Sequence, residues 1–405
     1  MWSVLYFAIS LVAARRAPTM FHLSVGIDGG KLRRFKSRQK IKILRAAAAR
    51  ARRRARRPTH AENVGRTVKA KADFARIRRQ LPVTPSSLER YAGFYAFEPP
   101  AKFSLSENYK PTLAFLMDFK RLFTEKGRHL CDDGVRRLAY ADFAAIESIG
   151  PGAGLVLAAE VHKYAQTRGR LPEVHDHLWA EDVRNYFFET GLLELLGIDP
   201  IIISTKPSGG EQRSTLKYVM GRTTHGRDAK ALIRRLQELS GHSVGPRPTV
   251  YAAIAEALAN VTHAYPLWFR GWPYRPSKQW WASGFWSPTR KTVGLQLYDQ
   301  GASIPATLPK QTYWPRLLKG LDKEATPAGL IAAAMEYGRT STGQQGRGKG
   351  LAEMANWIET TGSGFLRILS GGGEVTYRPG SKITRRNHDA PFFGTLVQWE
   401  VSVGD

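Results

Sequence analysis

Cysteine is almost missing from this chain of 405 residues, with Cys131 the only one. A single thiol excludes a disulfide framework and any zinc module built from several cysteines. Long apolar runs are missing too. The longest candidate, Trp2 to Ala14, falls short of the roughly 20 residues that span a bilayer. Its positive charge, Arg15 and Arg16, follows the apolar stretch, whereas a secretory signal carries charge before it. The chain therefore reads as soluble and cytoplasmic, without a transmembrane segment. Acidic residues are scarce, at 34 Asp and Glu against 61 Lys and Arg, for a formal net charge of +27. That imbalance points to a polyanionic partner. With 42% hydrophobic and 11% aromatic residues there is ample material for packed cores, which excludes wholesale disorder.

The charge is unevenly spread. Residues 1–60 hold 16 Lys and Arg against the single acid Asp28, a net +15. Within them, 46–57 is almost entirely Ala and Arg, good helix formers with no bulky apolar stripe to bury. This is expected to be a basic arm, helical or disordered, able to meet phosphates without reading sequence. A solvated tail is the bland alternative. Residues 61–110, punctuated by Pro82, Pro85, Pro99 and Pro100, read as a linker.

Residues 111–205 read as a small α/β unit. Arg137 to Phe143 has the pattern of a strand. The turn Ile149 to Gly154 leads through Pro151, suited to a first helical turn, into a helix over Leu155 to Gln166. Asp182 to Leu196 is a second helical stretch. The pattern around SIGPGAG resembles a STAS-like domain over roughly 137–197, which implies a protein-docking unit. Members that are phosphorylated carry Ser or Thr at this turn, where this chain has Pro151, which argues against phosphoswitching there. Residues 206–245, with a helix around Asp228 to Leu239, read as a connector.

The chemistry concentrates in residues 246–405, in three boxes. In Thr249 to His263, with Thr249 expected as the helix N-cap, Glu256, Asn260 and His263 recur at i, i+4 and i+7 and so share one helical face. Ile254, Leu258 and Val261 can face a core. An Asn oxygen suits Mg²⁺, and a Glu can polarise a water. His263 reads as structural. In the second box, Val293, Leu295 and Leu297 alternate as a strand that ends at Asp299, followed by Gly301. A carboxylate there can accept a hydrogen bond from an amino group, and the glycine permits close approach of backbone. In the third, Gly346, Gly348 and Gly350 alternate with Arg347 and Lys349 just before a helix, a pattern that offers backbone N–H groups to phosphate. It is neither a P-loop nor a dinucleotide fingerprint. Taken singly, each box is also what a solvated helix face, an Asx turn or a flexible loop would look like.

Together, in this order and spacing, the boxes resemble the GHKL ATPase superfamily, which includes histidine-kinase catalytic domains and gyrase-type ATPases. The resemblance implies a two-layer α/β sandwich of the Bergerat type on a mixed sheet. It implies ATP and Mg²⁺ as cofactors, Asn260 as the metal ligand and Glu256 as the catalytic base. Asp299 would bind adenine, with Gly301, Ser303 and Ile304 as further nucleotide-binding residues of the same box. Gly346, Arg347, Gly348, Lys349, Gly350 and Leu351 would lie at the lid and phosphates. Gly394 to Val401 would be the last strand, with Thr395 at the adenine. The segments 263–266 (HAYP), Trp280-Trp281, 298–309 (YDQGASIPATLP) and 335–351 (MEYGRTSTGQQGRGKGL) are similar to a bacterial subgroup that joins a STAS-like part to such an ATPase. One departure is Ser303, where the family pattern has its second glycine. The lid, 309–345, is long. The tryptophans 268, 272, 280, 281 and 286 read as a core or interface cluster rather than a base-stacking platform.

The expected function is a Mg-ATP-binding and ATP-hydrolysing switch, with a protein partner at the STAS-like part, nucleic acid at the basic arm, and a homodimer as one arrangement. Two alternatives are a Ser/Thr or histidine protein kinase component and a non-enzymatic nucleic-acid-binding subunit of a bacterial defence or regulatory assembly. No phosphoacceptor helix with a coiled-coil seam precedes the boxes, which disfavours a self-contained histidine kinase.

Overall fold

The structure is a computed structural model. It describes residues 88–91, 94–97, 99–121, 129–131, 134–141, 143–168, 173–174, 179–196, 213–222, 226–266, 269, 278–319, 325–340 and 350–403. All of them belong to the compact unit Thr67–Asp405. The expected basic arm, 1–60, and four members of the third box, Gly346, Arg347, Gly348 and Lys349, lie outside the described residues.

In chain order the strands are β1 (Leu88–Tyr91), β2 (Phe94–Phe97), β3 (Lys102–Phe103), β4 (His129–Cys131), β5 (Gly134–Ala141), β6 (Ser148–Ile149), β7 (Glu173–Val174), β8 (Ser214–Gly221), β9 (Trp280–Ser287), β10 (Thr292–Asp299), β11 (Phe365–Tyr377) and β12 (Thr384–Ser402). The helices are α1 (Tyr109–Arg121), α2 (Pro151–Arg168), α3 (Glu181–Glu189), α4 (Leu192–Leu195), α5 (Gly226–Ser240), α6 (Arg247–His263), α7 (Ile304–Thr307), α8 (Trp314–Lys319), α9 (Pro327–Thr340) and α10 (Gly350–Thr361), with a 3₁₀ turn at Leu308–Lys310. The class is mixed α/β, as expected.

The principal sheet runs β11-β12-β10-β9-β8. Every pairing in it is antiparallel, where a mixed sheet was expected. Its strands are joined by hairpins and by returns that reverse direction. A second, smaller sheet, β1-β2-β5-β4 with β7 beside β5, contains both parallel and antiparallel pairs.

The strand period of two sorts side chains between the faces of the principal sheet. Val293, Leu295 and Leu297 of β10, with Val397, Trp399 and Val401 of β12 and Trp280 and Trp286 of β9, join one core with α5, α6, α9 and α10. The intervening Tyr298, Leu396 and Trp281 join a second core with α1, α2, α3 and α4. The sheet is thus covered on both sides, on one face by α5, α6, α9 and α10 and on the other by α1 to α4 of the preceding segment. The physical reason is that β9 and β10 carry large apolar side chains on both faces, Trp280 and Trp286 on one and Trp281 and Tyr298 on the other, and must be covered twice. Fully burying one such large side chain contributes about 1.5–3 kcal/mol. The three described tryptophans of the expected cluster are all buried in these cores.

Several sequence boundaries differ, two of them for a clear local reason. The helix expected over Asp182 to Leu196 divides into α3 and α4 at Gly191, whose φ of 78° is left-handed, after Thr190 turns its hydroxyl back to the Tyr186 carbonyl at 2.7 Å. Helix α6 begins at Arg247, ahead of Thr249, and its first turn carries Pro248 without a side-chain cap. The expected connector contributes edge strand β8 and helix α5, whose Leu232 and Leu236 are buried.

Candidate functional site

A cavity of about 400 Å³ opens between the sheet and helices α6 and α10. Its sheet wall follows from strand parity. Asp299 shares the face of Leu295 and Leu297, and the β10–β12 register sets Asp299 opposite Thr395 and Leu297 opposite Val397. All four line the cavity. Helix α6 contributes Glu256, Asn260 and His263, the row expected from their spacing, together with Ala257, while Ala253, Ile254, Leu258 and Val261 are turned into the core. Helix α10 contributes Gly350, Leu351 and Met354, and the segment after β10 contributes Ser303, Ile304, Thr307, Gln311 and Tyr313.

Asp299 is 4% exposed, and its Oδ1 accepts the Gly301 backbone N–H at 2.6 Å. Burial pushes its carboxyl up to about 7, and that hydrogen bond offsets only part of the effect. Gly301 is required sterically, because a β-carbon there would overlap the Ala264 side chain and approach the Ala264 carbonyl oxygen to 2.8 Å. The same contact is sealed by the Ala302 N–H donating to the Ala264 carbonyl at 2.7 Å. The end of α6 and the turn after Asp299 are therefore one packed unit. Gly394, at φ 93°, allows the β12 backbone to press against the Asp299 carbonyl.

Glu256 is half-buried, and its carboxyl is raised first by burial and then by the negative charge of Glu353, with His263 opposing. A β-carbon at Gly350 would overlap the Glu256 carboxylate, so the glycine makes room for that side chain at the first residue of α10. Ser303 stands at φ 80° and ψ 151°, a region populated almost only by glycine. It occupies the position where a glycine was expected, and the backbone conformation there is the one a glycine would adopt without strain.

The cavity thus gathers Glu256, Asn260, Asp299, Ser303, Ile304, Gly350, Leu351 and Thr395 from stretches far apart in sequence. Gly301 sits behind Asp299 as its hydrogen-bond donor. Several contributors were missed. Ser370 of β11 is fully buried, accepts the Ile304 N–H at 2.8 Å and bonds the Thr395 hydroxyl at 2.9 Å, tying α7 to β12. Nothing in its local sequence marks it. Met354 was legible in principle, one helical turn beyond Gly350. Tyr313 stacks on Tyr337, with ring centroids 5.3 Å apart and planes within 12°. Burial, Tyr337 and the Glu256 charge all raise its phenol.

Chemically, the site offers a buried carboxylate beside a hydroxyl, an apolar floor, and a carboxylate–amide pair near a helix N-terminus. Among the described residues that line it there is no Lys or Arg. Among the described residues no group of three or more His, Cys, Asp or Glu is placed to hold a metal ion. No helix among them is long and apolar enough to cross a membrane. Comparison with protein-family models gives no match, and comparison with curated protein sequences gives none.

Proposed function

We propose that the protein binds Mg-ATP in this cavity and hydrolyses it, acting as a cytoplasmic nucleotide-dependent switch of the GHKL type. The observation that carries the reading is the convergence of Asp299, Thr395, Asn260 and Glu256 on one cavity of about 400 Å³. That volume falls within the range of small-molecule sites, roughly 300–1,000 Å³. The donor set fits the ligand. Asp299, buried beside Thr395, can accept a hydrogen bond from an exocyclic amino group, and Leu297, Met354 and Val397 suit the faces of a heterocycle. Asn260 offers one neutral oxygen, which fits a cation that arrives already bound to phosphates and keeps several waters.

Bound Mg-ATP supplies the γ-phosphoryl group and the cation that offsets its charge. The chain's own residues do the rest. Asp299 and Thr395 orient the base, and Gly301 holds the Asp299 carboxylate in place by its N–H. The N-terminus of α10, from Gly350, points backbone N–H groups toward negative charge. Arg347 and Lys349 add positive charge by sequence. Glu256, with its raised proton affinity, accepts a proton from the attacking water. The STAS-like part is then the docking element for a protein partner, and residues 1–60 the element for a polyanion.

Calorimetry with Mg-ATP on the wild type, Asn260→Ala and Asp299→Asn tests the reading. Binding by the wild type, with both variants weaker by tenfold or more, is the expected result. Absence of wild-type binding ends it. Incubation with γ-labelled ATP should release free phosphate, whereas label retained on protein would replace hydrolysis with phosphotransfer.

A further inference from the structure

Asp299 has a neighbour that the three boxes leave without a role. Successive strand residues point to opposite faces. Asp299 faces the cavity, and Gln300 faces the helical layer on the other side of the sheet. There Gln300, 3% exposed, lies against two charged side chains of α2, Glu160 at 0% and Lys163 at 6%. Its Nε2 donates to Glu160 Oε1 at 2.8 Å, and Lys163 Nζ donates to its Oε1 at 3.2 Å. Glu160 and Lys163 are three residues apart and share a helical face. The reversed amide would set N–H groups against an ammonium and a carbonyl against a carboxylate, so the charges fix its orientation. The backbone of the same residue is held from the cavity side, its N–H donating to the Tyr265 hydroxyl at 3.0 Å.

We propose that Glu160 and Lys163 are positioning residues for the cavity, acting through Gln300, so that occupancy of the cavity and docking of α2 on the sheet are thermodynamically linked. The inference rests on the nucleotide reading above and adds a route for its regulation. A displacement of the Asp299 turn carries the Gln300 amide with it and takes hydrogen bonds from two buried charges at once. Buried charges tolerate such a loss poorly. The turn and α2 therefore move together or not at all. A ligand that holds Asp299 favours the docked α2, and by reciprocity a partner that loosens α2 weakens ligand binding by the same factor.

The test uses the full chain, with hydrogen–deuterium exchange read on peptides from α2 and affinity read by calorimetry. In the wild type, saturating Mg-ATP should slow exchange in α2 by about tenfold, within the usual range for coupled sites. Gln300→Met and Lys163→Met should each weaken binding by about tenfold and abolish the ligand-dependent slowing. Lys163→Arg should recover most of the affinity lost in Lys163→Met. Leu157→Ala removes apolar packing from the same helix and leaves the three polar groups in place. It should lower the melting temperature yet leave α2 docked in nearly every molecule, so that affinity is unchanged while the polar variants, which release the Asp299 turn itself, lose it; a merely structural role would not produce that separation. Wild-type binding with no change in α2 exchange overturns the linkage and leaves the nucleotide reading standing. So does an equal loss of affinity in Leu157→Ala and the polar variants. If the wild type does not bind Mg-ATP, the nucleotide reading falls and the linkage falls with it.

Discussion

Asp299 binds its proton more tightly in the folded chain, where burial pushes the carboxyl up to about 7, than in the unfolded chain, where an aspartate titrates near about 4. Between those values the folded state holds the extra proton, so stability falls as pH rises through the window. The size of that fall is on the order of a few kcal/mol. Asp299→Asn keeps an oxygen for the Gly301 N–H and cannot ionise. Urea unfolding between pH 4 and pH 8 should therefore show a declining stability for the wild type and a flatter profile for the variant, with the variant the more stable at pH 8. The same variant should lose Mg-ATP binding, because an amide N–H₂ replaces an acceptor. A second residue gives a gain without a loss. Ser303 sits in backbone territory that costs a non-glycine residue about 1–3 kcal/mol, while glycine adds about 0.5–1 kcal/mol of unfolded-state entropy. Ser303→Gly should raise stability by roughly 1 kcal/mol, read as a higher urea midpoint at unchanged slope. Its carbonyl, which accepts both the N–H and the hydroxyl of Thr307, is kept.

At the level of elements, helix α10 sets propensity against contact. Glycine at a helical position is worse than alanine by about 1 kcal/mol, so Gly350→Ala should favour the helix. The added β-carbon, however, would overlap the Glu256 carboxylate, the far end of a flexible side chain. That side chain can swing aside, so the expected outcome is a melting temperature close to wild type with a fall in hydrolysis of tenfold or more and a smaller change in KM. Equal losses in kcat and stability would show Gly350 to be structural alone. The elements that carry these residues were largely legible. The 3.6-residue spacing of Glu256, Asn260 and His263 and the alternation into Asp299 are local patterns, and local patterns survive folding. Three things were not legible. The hydroxyl link through Ser370 depends on β11 lying beside β12, a pairing of distant segments. The split at Gly191 turns on one left-handed residue. The sheet membership of β8 is hidden because its residues alternate only weakly and its neighbours are polar, so composition alone made it a connector.

For the whole molecule, covering both faces of the sheet decides what can be separated from what. The sequence divides naturally into a unit at 111–205 and another at 246–405. The packing does not respect that division. Trp281, Tyr298, Leu369, Phe392 and Leu396 of the sheet share one core with Phe115, Leu157 and Phe187 of the first segment. A buried ion pair, Arg367 with Glu374 at 3.0 Å, also donates through Arg367 to the Leu105 carbonyl at 2.9 Å. A fragment of residues 246–405 would keep every lining residue of the cavity and yet expose an apolar sheet face. It would also lose edge strand β8 and leave β9 unpaired on one side. Exposed faces and open edges of that kind associate. The fragment should therefore bind a hydrophobic dye strongly, elute as a heterogeneous aggregate and bind Mg-ATP far more weakly than the full chain. A chain starting at residue 67 keeps both cores and should match the full chain in affinity, while losing the salt-dependent DNA binding expected of the +15 arm. A soluble, monodisperse 246–405 fragment with full affinity would mean that the second helical layer is a passenger on the sheet, and that the cavity needs only one covered face.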